Sequence, residues 1–209
     1  VVSVLCKKAF ADNTLGVIMP CFSNTEDAED AELIAETFGI DYIIRDLSPV
    51  LEKFITVLEG REMKSDENLA VANMKPRLRM VTLYYYAAKN DYLVIGTDNW
   101  SELEAGYFTK YGDGGIDLAP LGRLVKTEVR ELARHLGIPE KIINKAPSAG
   151  LWQGQTDEEE MGISYETLDK YILTGQAPAA IKEKIENLKQ KNKHKTEPIP
   201  MPEREMLEK

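Results

Sequence analysis

Cysteine and histidine are scarce in this 209-residue chain, and positive charge is outnumbered. Two cysteines, Cys6 and Cys21, cannot build a disulfide framework, so a reducing cytoplasm is the expected compartment. Two histidines, His135 and His194, with no CxxC spacing leave no basis for a zinc site. Lys+Arg 26 against Asp+Glu 35 gives a formal charge of −9. That balance argues against nucleic acid or an anionic membrane as the main partner, while leaving room for a local basic pocket around a phosphate. The longest apolar runs, Leu15 to Met19 and Leu93 to Ile95, fall far below the ~18 residues of a membrane span, and no secretory pattern opens the chain. GxSxG, GxGxxG and Walker A patterns are missing. So is an initiator Met: Val1-Val2-Ser3-Val4-Leu5 reads as the middle of an apolar helix, and the natural N-terminus is expected upstream.

What is present, 43% hydrophobic and 29% charged residues, is the balance of one folded domain spanning residues 1–209. Leu15 to Met19, stopped by Pro20, predicts a buried strand. Ser23-Asn24-Thr25-Glu26 has the capping-box pattern of a helix start, with the Ser23 hydroxyl as the cap. Ala31, Ile34, Ala35 and Phe38 share one helical face, closed by Gly39, and Ile40 to Ile44 predicts a second strand. Strand, helix and strand with short links predict a right-handed βαβ unit of a parallel sheet. Further helices are predicted at 49–59, 74–89, around Val129–Leu136, at 164–174 and at 178–192, with a third strand at Tyr92 to Gly96. Residues 146–160 predict a mobile surface loop in which Trp152 is either a lid or a plug. Residues 193–209 predict an irregular tail.

Ligands of an open parallel sheet bind beyond the carboxyl ends of its strands. Thr97, Asp98, Ser101, Glu102 and Glu104 fall on one such turn, which is either a solvated helix cap or a carboxylate site for Mg²⁺ beside phosphates. Lys75, Arg77 and Arg79 crowd a helix start, where the dipole disfavours cations unless an anion is bound; the alternative is surface salt bridges. Phe108 to Gly115 joins aromatic residues and Lys110 to a glycine-rich loop that either approaches a ligand or merely turns. Six lysines from Lys182 to Lys195 predict a solvated helix face, with His194 and Lys195 just beyond it. Residue by residue, the sequence reaches an α/β nucleotide- or phosphate-binding domain and no reaction.

Longer stretches carry more. Gly96-Thr97-Asp98-Asn99, Glu102, Gly106-Tyr107-Phe108-Thr109-Lys110-Tyr111-Gly112-Asp113-Gly114-Gly115 and Asp117-Leu118-Ala119-Pro120-Leu121 resemble the ammonia-dependent NAD+ synthetase family. Ala146-Pro147-Ser148-Ala149-Gly150-Leu151, Gln155-Thr156-Asp157-Glu158 and Gly162-Ile163-Ser164-Tyr165 extend the resemblance over essentially the whole chain. It implies a Rossmann-like α/β fold of the adenine nucleotide α-hydrolase type, a homodimer, and amidation of deamido-NAD with ATP, Mg²⁺ and ammonia through an adenylate. By position it implies ATP contacts at Thr97, Lys126 and Ser148, and a Mg²⁺ ligand at Glu102. Arg77, Lys110, Asp117, His194 and Lys195 would hold deamido-NAD. The family's first strand and Ser-Gly-Gly-Ile-Asp-Ser type phosphate loop have no counterpart, and Val1 to Lys8 resembles the helix that follows them. Alternatives left open are another ATP pyrophosphatase of the same fold, or a non-catalytic nucleotide-binding module.

Overall fold

The computed structural model describes residues 1–63, 68–148, 150 and 154–204. The elements in chain order are α1 (Val2–Phe10), β1 (Leu15–Ile18), α2 (Thr25–Phe38), β2 (Asp41–Ile44), α3 (Ser48–Glu59), α4 (Leu69–Ala72) and α5 (Met74–Asn90). There follow α6 (Trp100–Ala105), α7 (Lys126–His135), α8 (Glu140–Ile143), α9 (Asp157–Met161), α10 (Tyr165–Thr174) and α11 (Ala179–Thr196). Strands β1 and β2 pair in parallel, Leu15 opposite Asp41 and Ile18 opposite Ile44, with α2 as the crossover. This is the α/β architecture expected from the strand, helix, strand pattern.

Local chemistry explains the boundaries. Helix α2 ends where Gly39 takes a left-handed φ of 62°, and Ile40 then buries beside Val4 and Ala35. Its start differs from expectation. The cap is Asn24, whose side chain accepts from the Glu26 amide, while the Ser23 hydroxyl accepts from Arg79 instead. Helix α5 tolerates Pro76 because the ring sits in the first turn, where amides have no intrahelical partner.

Tyr92 to Gly96 is not a strand of the described sheet. Asp117 N donates to Val94 O and Gly96 N to Leu118 O, which leaves a single parallel bridge between Ile95 and Leu118, too short for a ladder. The expected loop at 146–160 contains α9, whose first turn stacks Asp157, Glu158, Glu159 and Glu160 against the positive end of the helix dipole. Trp152 lies outside the described residues. Helix α11 runs four residues past its expected end and carries His194 and Lys195 in its last turn; irregular backbone starts at Glu197, held extended by Pro198.

The core is divided. Leu47, Leu51, Ile55 and Val71 bury under α3 beside Cys21. Ala105, Met161, Ile163, Tyr165, Leu168 and Ile185 pack α6, α10 and α11 together. Each fully buried Leu or Ile in these clusters contributes about 1.5–3 kcal/mol of transfer free energy. Gly106 sets how closely α11 can approach: its φ of 63° suits glycine, and a Cβ there would run into Asn192. With that room, Asn192 Nδ2 donates to Ala105 O, and Lys195 Nζ donates to Gly106 O and Phe108 O. Several lysines expected to be solvated are therefore bonded, including Lys184 to Gly162 O and Lys189 to Glu104.

Candidate active site

A cleft of about 1680 Å³ opens beyond the carboxyl end of β1 and the Gly96 turn. Its lining includes Ser23, Arg79, Thr97, Asp98, Glu102 and Lys126. Thr97 is exposed at its edge. Glu102 is placed by a capping box: Asn99 Oδ1 accepts from the Glu102 amide at 3.1 Å, and Glu102 Oε2 accepts from the Asn99 amide at 2.9 Å. Its other oxygen, Oε1, accepts from Lys126 Nζ at 2.7 Å. Lys126 begins α7, and its ammonium also lies 4.7 Å from the centre of the Tyr165 ring.

Carboxylates gather around this ion pair. Asp98 is 5% exposed, and its Oδ2 is buried with no hydrogen-bond partner in the protein. Burial pushes its carboxyl up to about 8, with repulsion from Asp113 and Glu102 adding to the shift and Lys126 opposing it. Asp157, 4% exposed, accepts from the Tyr165 hydroxyl through Oδ2 while Oδ1 has no partner, and burial raises it too. Gln155 and Tyr107 both donate to Glu160 Oε2, at 2.8 and 2.7 Å. Among the described residues no three Asp, Glu, His or Cys side chains converge as a closed metal site.

The sequence-expected residues separate into two groups. Thr97, Glu102, Lys126, Ser148 and Lys195 line the cleft together. Arg77, Lys110, Asp117 and His194 do not line it. Three of those four are joined to each other: Arg77 Nη2 approaches Lys110 O at 3.5 Å, and Lys110 Nζ donates to His194 O. Asp117 is bound by the Tyr84 hydroxyl and the Val94 amide. The cation that reaches the cleft from α5 is Arg79, donating to Met19 O at 3.1 Å and to Ser23 Oγ at 2.9 Å. Residues two apart on a helix point about 200° from one another, so only one of the pair can face this cleft. Helical phase was the signal that distinguishes Arg79 from Arg77.

An α/β fold with a cleft at its strand ends large enough for nucleotides, and a Lys–Glu pair on a capped helix within it, defines a nucleotide-binding enzyme of the Rossmann-like class. The chain belongs to the NAD synthase family, whose model matches residues 1–199. It is 55% identical over 195 residues to the NH3-dependent NAD+ synthetase of Carboxydothermus hydrogenoformans, covering 93% of this chain and 80% of that protein. It is 44% identical to the enzyme of the same name from Methanocaldococcus jannaschii, covering 97% and 84%. Among solved structures, NMN synthetase from Francisella tularensis superposes with a TM-score of 0.90 at 37% identity, covering 96% of this chain and 83% of that one. NH3-dependent NAD synthetase from Campylobacter jejuni gives 0.75 at 33%, covering 97% and 83%.

Proposed function

We infer that this chain is a ligase that amidates deamido-NAD with ammonia and ATP, releasing NAD+, AMP and pyrophosphate. Membership of the NAD synthase family over residues 1–199 is the observation that carries this reading. The chemistry accounts for the site. A carboxylate resists ammonia because its oxygen is a poor leaving group. Attack of that oxygen on the α-phosphorus of ATP expels pyrophosphate and gives an acyl adenylate. Ammonia then adds to the acyl carbon, AMP departs with the electrons of the C–O bond, and nitrogen loses a proton. The protein's task is to bring polyanions together and offset their charge, more than to supply a nucleophile.

In this reading Thr97, Lys126 and Ser148 contact ATP, with Lys126 on its phosphates. Arg77, Lys110, Asp117, His194 and Lys195 hold deamido-NAD. The grouping of the first three in one cleft, and the bonds joining Arg77, Lys110 and His194 outside it, support two adjoining subsites. Mg²⁺ fits the donor set: Glu102 presents a carboxylate at the cleft, Asp98 nearby has an unpartnered buried oxygen, and Mg²⁺ is commonly held by one or two carboxylates plus phosphates. Glu102 would hold the ion, which when bound neutralises phosphate charge. A homodimer suits the apolar surface where α3 packs on α5, with Val50, Phe54, Val57, Leu58, Val81 and Tyr85 exposed. The proposed compartment is the cytoplasm; among the described residues no helix is long and apolar enough to cross a membrane.

The likeness to an NMN synthetase gives the test a rival acceptor. Full-length protein is given ATP, Mg²⁺ and ammonium with either deamido-NAD or the deamido form of NMN, and glutamine replaces ammonium in parallel. The expected result is NAD+ and AMP in equal amounts from deamido-NAD and ammonium. Faster turnover of the mononucleotide would reassign the substrate. Folded protein that binds ATP and forms no AMP with either acceptor would favour the non-catalytic module.

A further inference from the structure

Helix α7 has one cap of its own, Glu128 Oε2 accepting from the Val125 amide at 2.9 Å, and none for the two amides that follow. Its N-cap residue is Val125, which has no side-chain oxygen to accept from the first amides of the helix. Those amides are satisfied by side chains from two other helices. Ser101 Oγ on α6 accepts from Lys126 N at 3.0 Å. Asp169 Oδ2 on α10 accepts from Thr127 N at 2.8 Å. The two caps are themselves joined, because the Ser101 hydroxyl donates to Asp169 Oδ1 at 2.5 Å. Ser101 is fully buried and Asp169 is 2% exposed, so water does not compete for any of these bonds. The carboxylate also stands at the positive end of the α7 dipole.

The elements that this knot ties together are those that aim Lys126. Helix α6 carries Glu102, α7 carries Lys126 itself, and α10 carries Tyr165, under whose ring face the ammonium sits. The helix start is therefore fixed from behind while the ammonium is fixed from in front. We propose that the buried Ser101–Asp169 pair is a positioning device for the phosphate-facing Lys126, setting the ATP affinity and the adenylation rate without touching either substrate. This rests on the reading of Lys126 as an ATP contact. Its physical basis is that a polar group held in place before the reaction needs no reorganisation when charge develops, and that displacement by about 1 Å can cost about 100-fold in rate.

The test is a double-mutant cycle read by ATP binding, measured calorimetrically without the second substrate, and by kcat and KM for both substrates. Ser101→Ala, Asp169→Asn, Lys126→Ala and the doubles with Lys126→Ala are compared at a temperature well below their melting points. Ser101→Ala and Asp169→Asn are each expected to lower ATP affinity and kcat about 10-fold to 100-fold, with KM for deamido-NAD little changed. In the Lys126→Ala background neither should cost anything further, because the residue they act through is gone. Ile172→Ala, one turn beyond Asp169 on α10 and packed against the same apolar cluster with no hydrogen bond to the cap, supplies a control of lowered melting temperature and is expected to leave ATP affinity unchanged. Ser101→Ala keeps the Asp169–Thr127 bond and is the arm to read should Asp169→Asn fail to fold. Losses that add to that of Lys126→Ala, or an equal loss in Ile172→Ala, would overturn the proposal. Coupling among the variants in ATP binding, together with a wild-type protein that forms no NAD+, would overturn the reaction and leave the positioning standing.

Discussion

Lys126 and Lys145 both line the cleft and both reach a carboxylate at nearly the same distance, 2.7 Å to Glu102 and 2.6 Å to Asp30. Their surroundings differ. The Lys126 and Glu102 side chains are 19% and 14% exposed, backed by the Tyr165 ring and the capped start of α7. Lys145 is 36% exposed and bonds Asp27, itself 44% exposed, and Asp30, a buried carboxylate that it shares with Lys141, whose side chain is 55% exposed. A bond length alone therefore says little about what an ion pair does. The first pair is held by neighbours that exclude water, so its geometry is preset; the second ties α8 and the chain after it to α2, where water and salt screen it.

The largest difference should appear in catalysis. Glu102→Ala and Lys126→Ala are each expected to lower kcat/KM for NAD+ formation by about 100-fold to 1000-fold, as removal of charge-stabilising groups usually does. Lys145→Ala should change it little. Equal losses at both walls would mean that the α2–α8 side also bears on the transition state. Next comes stability. Leu168→Ala, at a site 1% exposed, should destabilise by about 2–5 kcal/mol, and Leu51→Ala, fully buried under α3, by a similar amount. The two are separated by ATP binding, which should weaken with Leu168→Ala because that residue packs beside Tyr165, and hold with Leu51→Ala. Thermal melts together with ATP titrations check both.

How much of this was written in the sequence follows from the range of each interaction. Helix α2 and its two strands were legible because apolar period and Gly39 act within one element. The cap at Asn24 was missed because two oxygen-bearing residues stood side by side, and Ser23 was claimed by Arg79 from 56 residues away. Arg77 was singled out over Arg79 by the resemblance, while helical phase turns Arg79 toward the cleft. The family motif brought Thr97, Glu102, Lys126 and Ser148 to one place. Nothing in it marked Asp169, whose role depends on a helix start 42 residues earlier where Val125 offers no side-chain oxygen.

Asp98 gives a smaller and pH-dependent effect. Its unfolded carboxyl ionises near 3.8, while the folded one keeps its proton up to about 8. Between those values the folded state binds more protons than the unfolded state, so stability falls as pH rises through this window. Asp98→Asn removes the charge and should raise the melting temperature more at pH 8.5 than at pH 5. Asparagine keeps the polar group but cannot ionise, and sparing a buried unpartnered group its charge is of the order of 1–3 kcal/mol, with each kcal/mol about 2–4 °C for a chain of this size. A gain independent of pH would mean that the carboxyl is already neutral through the range, and that the charged cluster around Lys126 is less polar than drawn.

The smallest effect belongs to the exposed wall. Lys141 Nζ lies 3.2 Å from Glu26 and 2.9 Å from Asp30, on a side chain that is 55% exposed. Lys141→Ala leaves the buried Asp30 paired with Lys145, and Glu26, 47% exposed, is solvated by water instead. The melting temperature is expected to stay within measurement error of the wild type. Any difference should vanish in about 1 M salt, where screening acts over about 3 Å. A loss that survives high salt would instead mean that Lys141 holds α8 against α2 by packing of its alkyl chain. The α2–α8 wall would then owe its geometry to contact rather than charge, and the contrast with the Lys126 wall would be one of function and not of rigidity.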